Sequence, residues 1–223
     1  GHGTAVAGVA AGNGRSSNGQ EVGAAPECEL IVVKLQRSNA IGFALSTAIM
    51  RGVKFAVDVA QSLEKPVAIN ISNGTNDGAH DGNSLFEQYL DSVSERWKCV
   101  ICVATGNEGS SGHHFYGVAA EKRTNYAEMV VGENVRSLYI TLWKNFADSI
   151  EYELIAPSGQ STGNIAATQS VTITALDRVQ VSVLYGQPNH YTTSQEVYFS
   201  LNAIGEAIPQ GLWRLAFTGQ RVV

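Results

Sequence analysis

The pattern of apolar residues changes near residue 120, and this change constrains the fold more than any other feature of the sequence. Before it, strand-like apolar runs alternate with stretches of helical spacing. After it, short runs of alternating or β-branched residues follow one another between turn signals. We therefore expect an α/β domain over residues 1–120 and an antiparallel β-sandwich over residues 121–223, with the boundary near 115–127.

Five elements are expected in the body of the first domain, in the order strand, helix, strand, helix, strand. The sequence places strands at 28–35, 67–72 and 99–105 and helices at 41–63 and 84–98. This order predicts a doubly wound parallel sheet, whose ligands bind beyond the carboxyl ends of the strands. Another helix is expected to begin at His2 and to end at Asn13-Gly14. Its run of small residues predicts a helix that is buried in the core.

The second domain is expected to hold about seven strands. These are predicted at 128–131, 137–143, 149–155, 169–176, 180–185, 196–201 and 212–217, with turns at 157–159, 186–189 and 209–211. Trp143 and Trp213 could form a sugar-binding platform or belong to the sandwich core, and we favour the core for both.

Charge and hydropathy argue against two classes of partner. The formal net charge is -5, and the lysines and arginines are scattered instead of forming a basic stripe, so nucleic-acid binding is not expected. No apolar run approaches membrane-spanning length, so a membrane span is not expected either.

The three cysteines include one C-x-x-C pair, Cys99 and Cys102. Such a pair is typical of a redox centre or of half a metal site. Residues three apart on a strand point to opposite faces, however, so the two sulfurs would not converge. We therefore favour two small residues of a buried strand.

Three short motifs carry the chemistry, and each stands at an expected element boundary. They are Gly1-His2-Gly3-Thr4, Asn70-Ile71-Ser72-Asn73-Gly74 and Ala104-Thr105-Gly106-Asn107-Glu108-Gly109; a fourth motif, Gly23-Ala24-Ala25-Pro26 leading into the apolar run 30–35, lies between the first two. In this order they resemble the subtilisin-like serine peptidases over the first half of the chain.

The resemblance implies a role for each motif. His2 matches the general base and Asn107 the side-chain donor to the oxyanion. Ser72, Asn73 and Gly74 match the edge strand that pairs with the substrate backbone. Ala104, Thr105 and Gly106 would wall the pocket for the residue before the cleaved bond. The implied partner is a peptide or protein substrate, and no cofactor or metal is expected.

Two members of the catalytic triad have no match in the sequence. The family's D-[ST]-G motif precedes the histidine, and its G-T-S-x-[AP] motif follows the oxyanion loop. Because neither occurs here, we expect the orienting aspartate and the nucleophilic serine to lie outside this chain. The chain then resembles a piece of a longer protein, and we expect it to be inactive by itself. The partial doubly wound core would expose apolar edges, and neighbouring chains are candidates to cover them.

The β region lies where clostridial germination peptidases carry a jelly-roll domain between the oxyanion loop and the nucleophile. In the position of its β region, the chain resembles this bacterial branch of the family, and the resemblance implies a secreted or spore-associated protein. The sequence leaves two alternatives open: a pseudopeptidase that regulates with the same fold, and a β domain that binds carbohydrate or protein.

Two polar stretches are candidate cation sites, but loops are favoured at both. His113-His114 are adjacent residues without an acidic partner at ligand spacing. The second stretch lacks the ordered ligands of an EF-hand; it contains Asn76, Asp77, His80, Asp81 and Asn83. We interpret it as a polar loop near the substrate cleft.

Overall fold

The computed structural model describes residues 1–36, 44–165, 172–187 and 189–223. These residues form two compact units, one drawn from 1–76 and 85–107 and the other from 77–84 and 108–223. The first unit contains α1 (His2–Ala11), a 3₁₀ turn (Arg15–Ser17), α2 (Ser46–Ser62), β1 (Val67–Ile71), α3 (Leu85–Arg96) and β2 (Cys99–Val103). The second contains β3 (Thr124–Val131), β4 (Ser137–Asn145), β5 (Ser149–Ile155), β6 (Thr172–Leu176), β7 (Val179–Tyr185), β8 (Ser194–Ala203) and β9 (Gly211–Arg221).

The strands β1 and β2 of the first unit are parallel and pair in register from Val67↔Cys99 to Ile71↔Val103. Helices α2 and α3 both pack on one face of this pair. Their shared core centres on Val53, Val57, Ile71 and Val93. The spacing of the buried α2 residues at i, i+3, i+4 and i+7 is that of a helix with one apolar face. The helix predicted at 41–63 is thus confirmed over residues 46–62, whereas residues 44, 45 and 63 are not helical and residues 41–43 lie outside the described part of the chain.

The predicted strand at 28–35 is wrong, because residues 28–36 have no regular secondary structure. Leu30 and Val32 are 58% and 77% exposed. An apolar run forms a strand when a neighbouring strand satisfies its backbone hydrogen bonds, and no such pairing is present in the described residues. The described sheet therefore has two parallel strands instead of the expected three.

Helix α1 begins at His2 as expected, but the prediction that it is buried is wrong. None of its ten residues is buried, and Val9 is 78% exposed. Small side chains allow another element to pack closely against a helix, but they do not ensure that such an element is present. Within the described residues, the helix is held at its C-terminal end, where the carbonyl oxygens of Val9 and Ala10 accept hydrogen bonds from the backbone of Ala24 and Ala25.

The second unit consists of two antiparallel sheets, with strand orders β3-β9-β5 and β4-β8-β7-β6. Each of the seven predicted runs overlaps one of these strands, although residues 169–171 lie outside the described part, as does Pro188 of the turn at 186–189. The inward faces of both sheets share one core. Tyr152 of β5 meets Phe199 of β8 edge to face at 5.7 Å and so links the two sheets.

The two tryptophans have different positions in the sandwich. Trp213 is fully buried, and its indole N–H donates to the carbonyl of Pro209 at 2.9 Å, so the core prediction is confirmed for it. Trp143 is half-buried and pairs across β4 and β8 with Glu196, while Val197 and Gln195 on either side of Glu196 are buried. Trp143 therefore lies on the outer face of its sheet, and the core prediction is wrong there. Alternation fixes which residues share a face, but the choice of the buried face depends on the neighbouring sheet.

Candidate active site

Two of the three motifs are brought together at one edge of the parallel strand pair. Ser72-Asn73-Gly74 follows β1 directly, and Ala104-Thr105-Gly106-Asn107 follows β2. The last residues of the strands, Ile71 and Val103, are register partners. The backbone N–H of Ala104 donates to the carbonyl of Ile71 at 3.0 Å. Both segments thus leave the sheet side by side at its carboxyl end, where ligands of parallel sheets bind.

The Ser72–Gly74 segment offers an open backbone. Asn73 and Gly74 are exposed, and a Cβ built on Gly74 would meet no atom within 4 Å. A peptide can therefore approach this stretch closely, as strand addition requires. Ser72 is half-buried, and its hydroxyl accepts a hydrogen bond from the Asn70 side-chain amide at 2.8 Å. The partner of this hydroxyl, just past the end of β1, is thus a neutral amide and not the general base that an activated nucleophile needs.

The segment after β2 is a solvent-exposed turn. Ala104, Thr105, Gly106 and Asn107 are all exposed. Gly106 has a φ of +93°, which side chains disfavour, and this conformation turns the chain between the strand and Asn107. The side-chain amide of Asn107 is a hydrogen-bond donor that stands in solvent just past the strand end, as an oxyanion donor would.

In the part of the chain that the structure describes, His2 makes no hydrogen bond to either of these two segments. It is exposed at the first turn of α1, where Gly1 accepts hydrogen bonds from the backbone of Thr4 and Ala5. Within the described residues, no hydrogen bond joins His2 to 72–74 or to 104–107. The structure therefore places residues 72–74 and 104–107 side by side, while His2 lies at the N-terminus of α1, as the sequence predicts.

The polar loop between β1 and α3 makes contacts that the sequence does not predict. The Ser194 hydroxyl donates to Asp81 Oδ2 at 2.9 Å, and the backbone N–H of Asn83 donates to Asp81 Oδ1 at 3.0 Å. The Asn83 contact is the main cause that lowers the pKa of Asp81, and the Ser194 hydroxyl lowers it further. The rings of His80 and His114 stack with centroids 5.8 Å apart.

Carboxylates near this loop repel one another. Burial raises the pKa of Glu196, and the charge of Asp77 raises it further. Both effects disfavour the charged form of Glu196, because burial removes hydrating water from the carboxylate and the charge of Asp77 has the same sign. Asp77 also raises the pKa of Tyr198, after burial and Tyr139.

The candidate cation ligands do not converge. His113 contacts Glu108 at 3.2 Å, while His114 faces His80. Across residues 1–36, 44–165, 172–187 and 189–223, no group of three or more histidines, cysteines or acidic residues is suited to hold a metal ion.

The cysteine pair lies on β2, as the strand interpretation predicts. Cys99 is half-buried on the face covered by the helices, and Cys102 is exposed on the other face. The predicted opposite orientation is confirmed, but the expectation that both are buried is wrong for Cys102. Burial raises the pKa of the Cys99 thiol, which makes it a poorer nucleophile at neutral pH.

Comparisons with known proteins identify the family and the fold of this chain. The model of the subtilase family matches residues 1–195. The serine protease AprX of Bacillus subtilis (strain 168) is 34% identical over 112 residues, which cover 49% of this chain and 25% of that protein. The solved structure of the Clostridium perfringens CspB protease is similar over 100% of this chain and 47% of that one, with 33% identity and a TM-score of 0.87.

The chain belongs to the subtilase family, since the family model matches most of its length. Its fold is subtilase-like, as the similarity to the CspB protease shows. The chain spans about half of that structure and a quarter of AprX. Of the helices described, none has the length and apolar character needed to cross a membrane.

Proposed function

We propose that this chain is part of a subtilisin-like serine endopeptidase that hydrolyses peptide bonds without a cofactor. The observation that carries the proposal is the register pairing of Ile71 with Val103, which sets the Ser72–Gly74 and Ala104–Asn107 segments side by side. The chain belongs to the subtilase family, and we assign these segments to the substrate strand and the oxyanion loop because their motifs resemble those of the family.

Each residue has a distinct task in the proposed reaction. The substrate backbone adds as a strand to residues 72–74, and Ala104, Thr105 and Gly106 line the pocket for the residue before the cleaved bond. His2 takes the proton from the nucleophilic hydroxyl and returns it to the leaving amine. The amide of Asn107 donates to the oxyanion that forms on the attacked carbonyl.

The serine nucleophile and the orienting aspartate come from segments outside this chain, which has no match to either motif. The chain by itself is therefore inactive, because the acyl-enzyme cannot form without the hydroxyl. The rest of the protein completes a doubly wound core over residues 1–120 and covers the exposed faces of α1 and of residues 28–36. The sandwich of residues 121–223 is an inserted jelly-roll-like domain.

A fluorophosphonate probe tests the proposal on the longer protein, because it labels a serine only when that serine is activated. Labelling of the whole protein, and none of the isolated chain, supports the proposal. If the folded whole protein is not labelled, the function is that of a pseudopeptidase.

A second candidate function concerns the outer face of the β4-β8-β7-β6 sheet. Tyr139 is 58% exposed and stacks with Tyr198 at 5.9 Å, an arrangement that suits a sugar ring or an apolar side chain of a partner. Panels of glycans and peptides would test it with Tyr139→Ala as the control. Equal signals for the two proteins would contradict this function.

A further inference from the structure

The strap, defined as residues 77–84, joins β1 to α3 along the chain but belongs to the compact unit of the sandwich. It begins three residues after Gly74, the last residue of the proposed substrate strand. Three extended residues span only about 10 Å, so a strap held in one conformation reduces the conformations open to the adjoining Ser72–Gly74 segment.

The strap follows the outer face of β8. Ser194, Glu196 and Tyr198 occupy alternate positions on this strand, and the residues between them, Gln195 and Val197, are buried. Asp81 accepts a hydrogen bond from Ser194. Asp77 acts electrostatically on both Glu196 and Tyr198. The strap therefore interacts with three successive outward positions of one strand.

Asp81 connects two parts of this arrangement with a single carboxylate. Its Oδ1 accepts the backbone N–H of Asn83 at 3.0 Å, which closes a turn within the strap. Its Oδ2 accepts the Ser194 hydroxyl at 2.9 Å, which fixes that turn to β8. Hydrogen bonds to a charged acceptor are among the stronger ones in proteins. The stacking of His80 on His114 adds a second contact nearby.

We propose that Asp81 is a positioning residue: by anchoring the strap to Ser194 it holds Ser72–Gly74 in the conformation that pairs with substrate. The proposal rests on the proposed peptidase function. Asp81 touches no reacting atom in this account.

The test uses the longer protein and the variants Asp81→Ala, Ser194→Ala and the double variant. Ser200→Ala is the matched control, because Ser200 is another half-buried serine on the outer face of β8 and its hydroxyl accepts instead from Asn202. Hydrogen exchange is measured over residues 72–84. Exchange over Gly211–Arg221 reports whether each variant is folded.

We expect each single variant to speed exchange over residues 72–84 roughly fivefold, the usual weight of one side-chain hydrogen bond. The double variant should add little to either, since both substitutions remove the same contact. Kinetics should show a raised KM for extended peptides with kcat little changed, and the rate of fluorophosphonate labelling should stay as in the wild type.

The outcomes separate this proposal from the one on which it rests. Unchanged exchange in Asp81→Ala, or an equal change in Ser200→Ala, would show that Asp81 does not anchor the strap. Faster exchange confined to 77–84, with KM unchanged, would overturn the positioning role. An unlabelled wild-type protein would reject the peptidase function, while the exchange data would still decide whether Asp81 holds residues 72–76.

Discussion

Ile71 and Val103 are register partners at the last positions of two parallel strands, and Ala104 donates its backbone N–H to the Ile71 carbonyl at 3.0 Å. This pairing brings together two motifs that lie about thirty residues apart in the sequence. Because residues 72–74 and 104–107 lie beyond the ends of β1 and β2, each can be substituted without altering a strand residue, and its function can be tested separately.

The first prediction concerns the oxyanion. In the longer protein, Asn107→Ala should lower kcat about a hundredfold to a thousandfold with KM nearly unchanged, because the donor acts on charge that develops in the transition state. The range is one found for a subtilisin and is borrowed here. Steady-state kinetics measure it, with Asn202→Ala, an exposed asparagine of β8, as the control. A raised KM at constant kcat would assign Asn107 to substrate binding instead.

The second prediction separates stability from substrate binding at Gly74. A Cβ at this position meets no atom within 4 Å, so Gly74→Ala should leave the thermal unfolding midpoint unchanged. It should nevertheless raise KM for extended peptides, because the methyl group intrudes on the approaching backbone. The contrast is Gly106→Ala, which should lower the midpoint because its φ of +93° strains any side chain. Equal KM values for wild type and Gly74→Ala would argue against strand addition at this edge.

The third prediction concerns the core of the sandwich. Leu154 is completely buried and Leu184 is 42% exposed. Leu154→Ala should therefore reduce the free energy of unfolding by about 2–5 kcal/mol. Leu184→Ala should cost less than about 1 kcal/mol, since it leaves no closed cavity. Urea denaturation of the chain measures both, and similar losses would show that the two sheets do not share the core as described.

The fourth prediction concerns pH. The folded-state pKa of Glu196 is raised by burial and then by Asp77. The charged form of Glu196 therefore costs stability, and the cost appears as the pH rises through the unfolded and then the folded pKa. Glu196→Gln should raise the unfolding midpoint at pH 7 and leave it unchanged at about pH 3, more than one unit below the unfolded-state pKa of about 4.3, where the carboxyl is neutral in both states.

Thermal unfolding at the two pH values tests the Glu196 prediction, with Glu206→Gln, an exposed glutamate before β9, as the control. A stabilisation that persists at low pH would indicate a packing effect and not a charge effect.

The sequence predicts the elements whose signals are local. The seven strands of the sandwich follow from alternation and turn residues, and the stripe of α3 follows from helical spacing. Residues 28–36 and the burial of α1 are predicted wrongly, because a strand needs a paired neighbour and a helix needs a covering surface. Trp143 is misplaced because alternation alone does not say which face of β4 is covered.

The anchor of the strap is beyond prediction from one sequence. Asp81 and Ser194 are 113 residues apart, and no periodic pattern links them. The contact between Asp81 and Asn83 does have a local sequence signal, because an aspartate often accepts a hydrogen bond from the backbone N–H two residues later. The contact between Asp81 and Ser194 has no such signal, because the position of Ser194 on the outer face of β8 is determined only when the sandwich folds.

Fluorophosphonate labelling of the longer protein, with and without the substitution His2→Ala, decides whether His2 is the general base of a working triad. We expect one serine outside this chain to be labelled in the wild type and labelling to be lost in His2→Ala, because the hydroxyl then has no general base. A folded His2→Ala protein that is labelled as fast as the wild type would contradict this expectation.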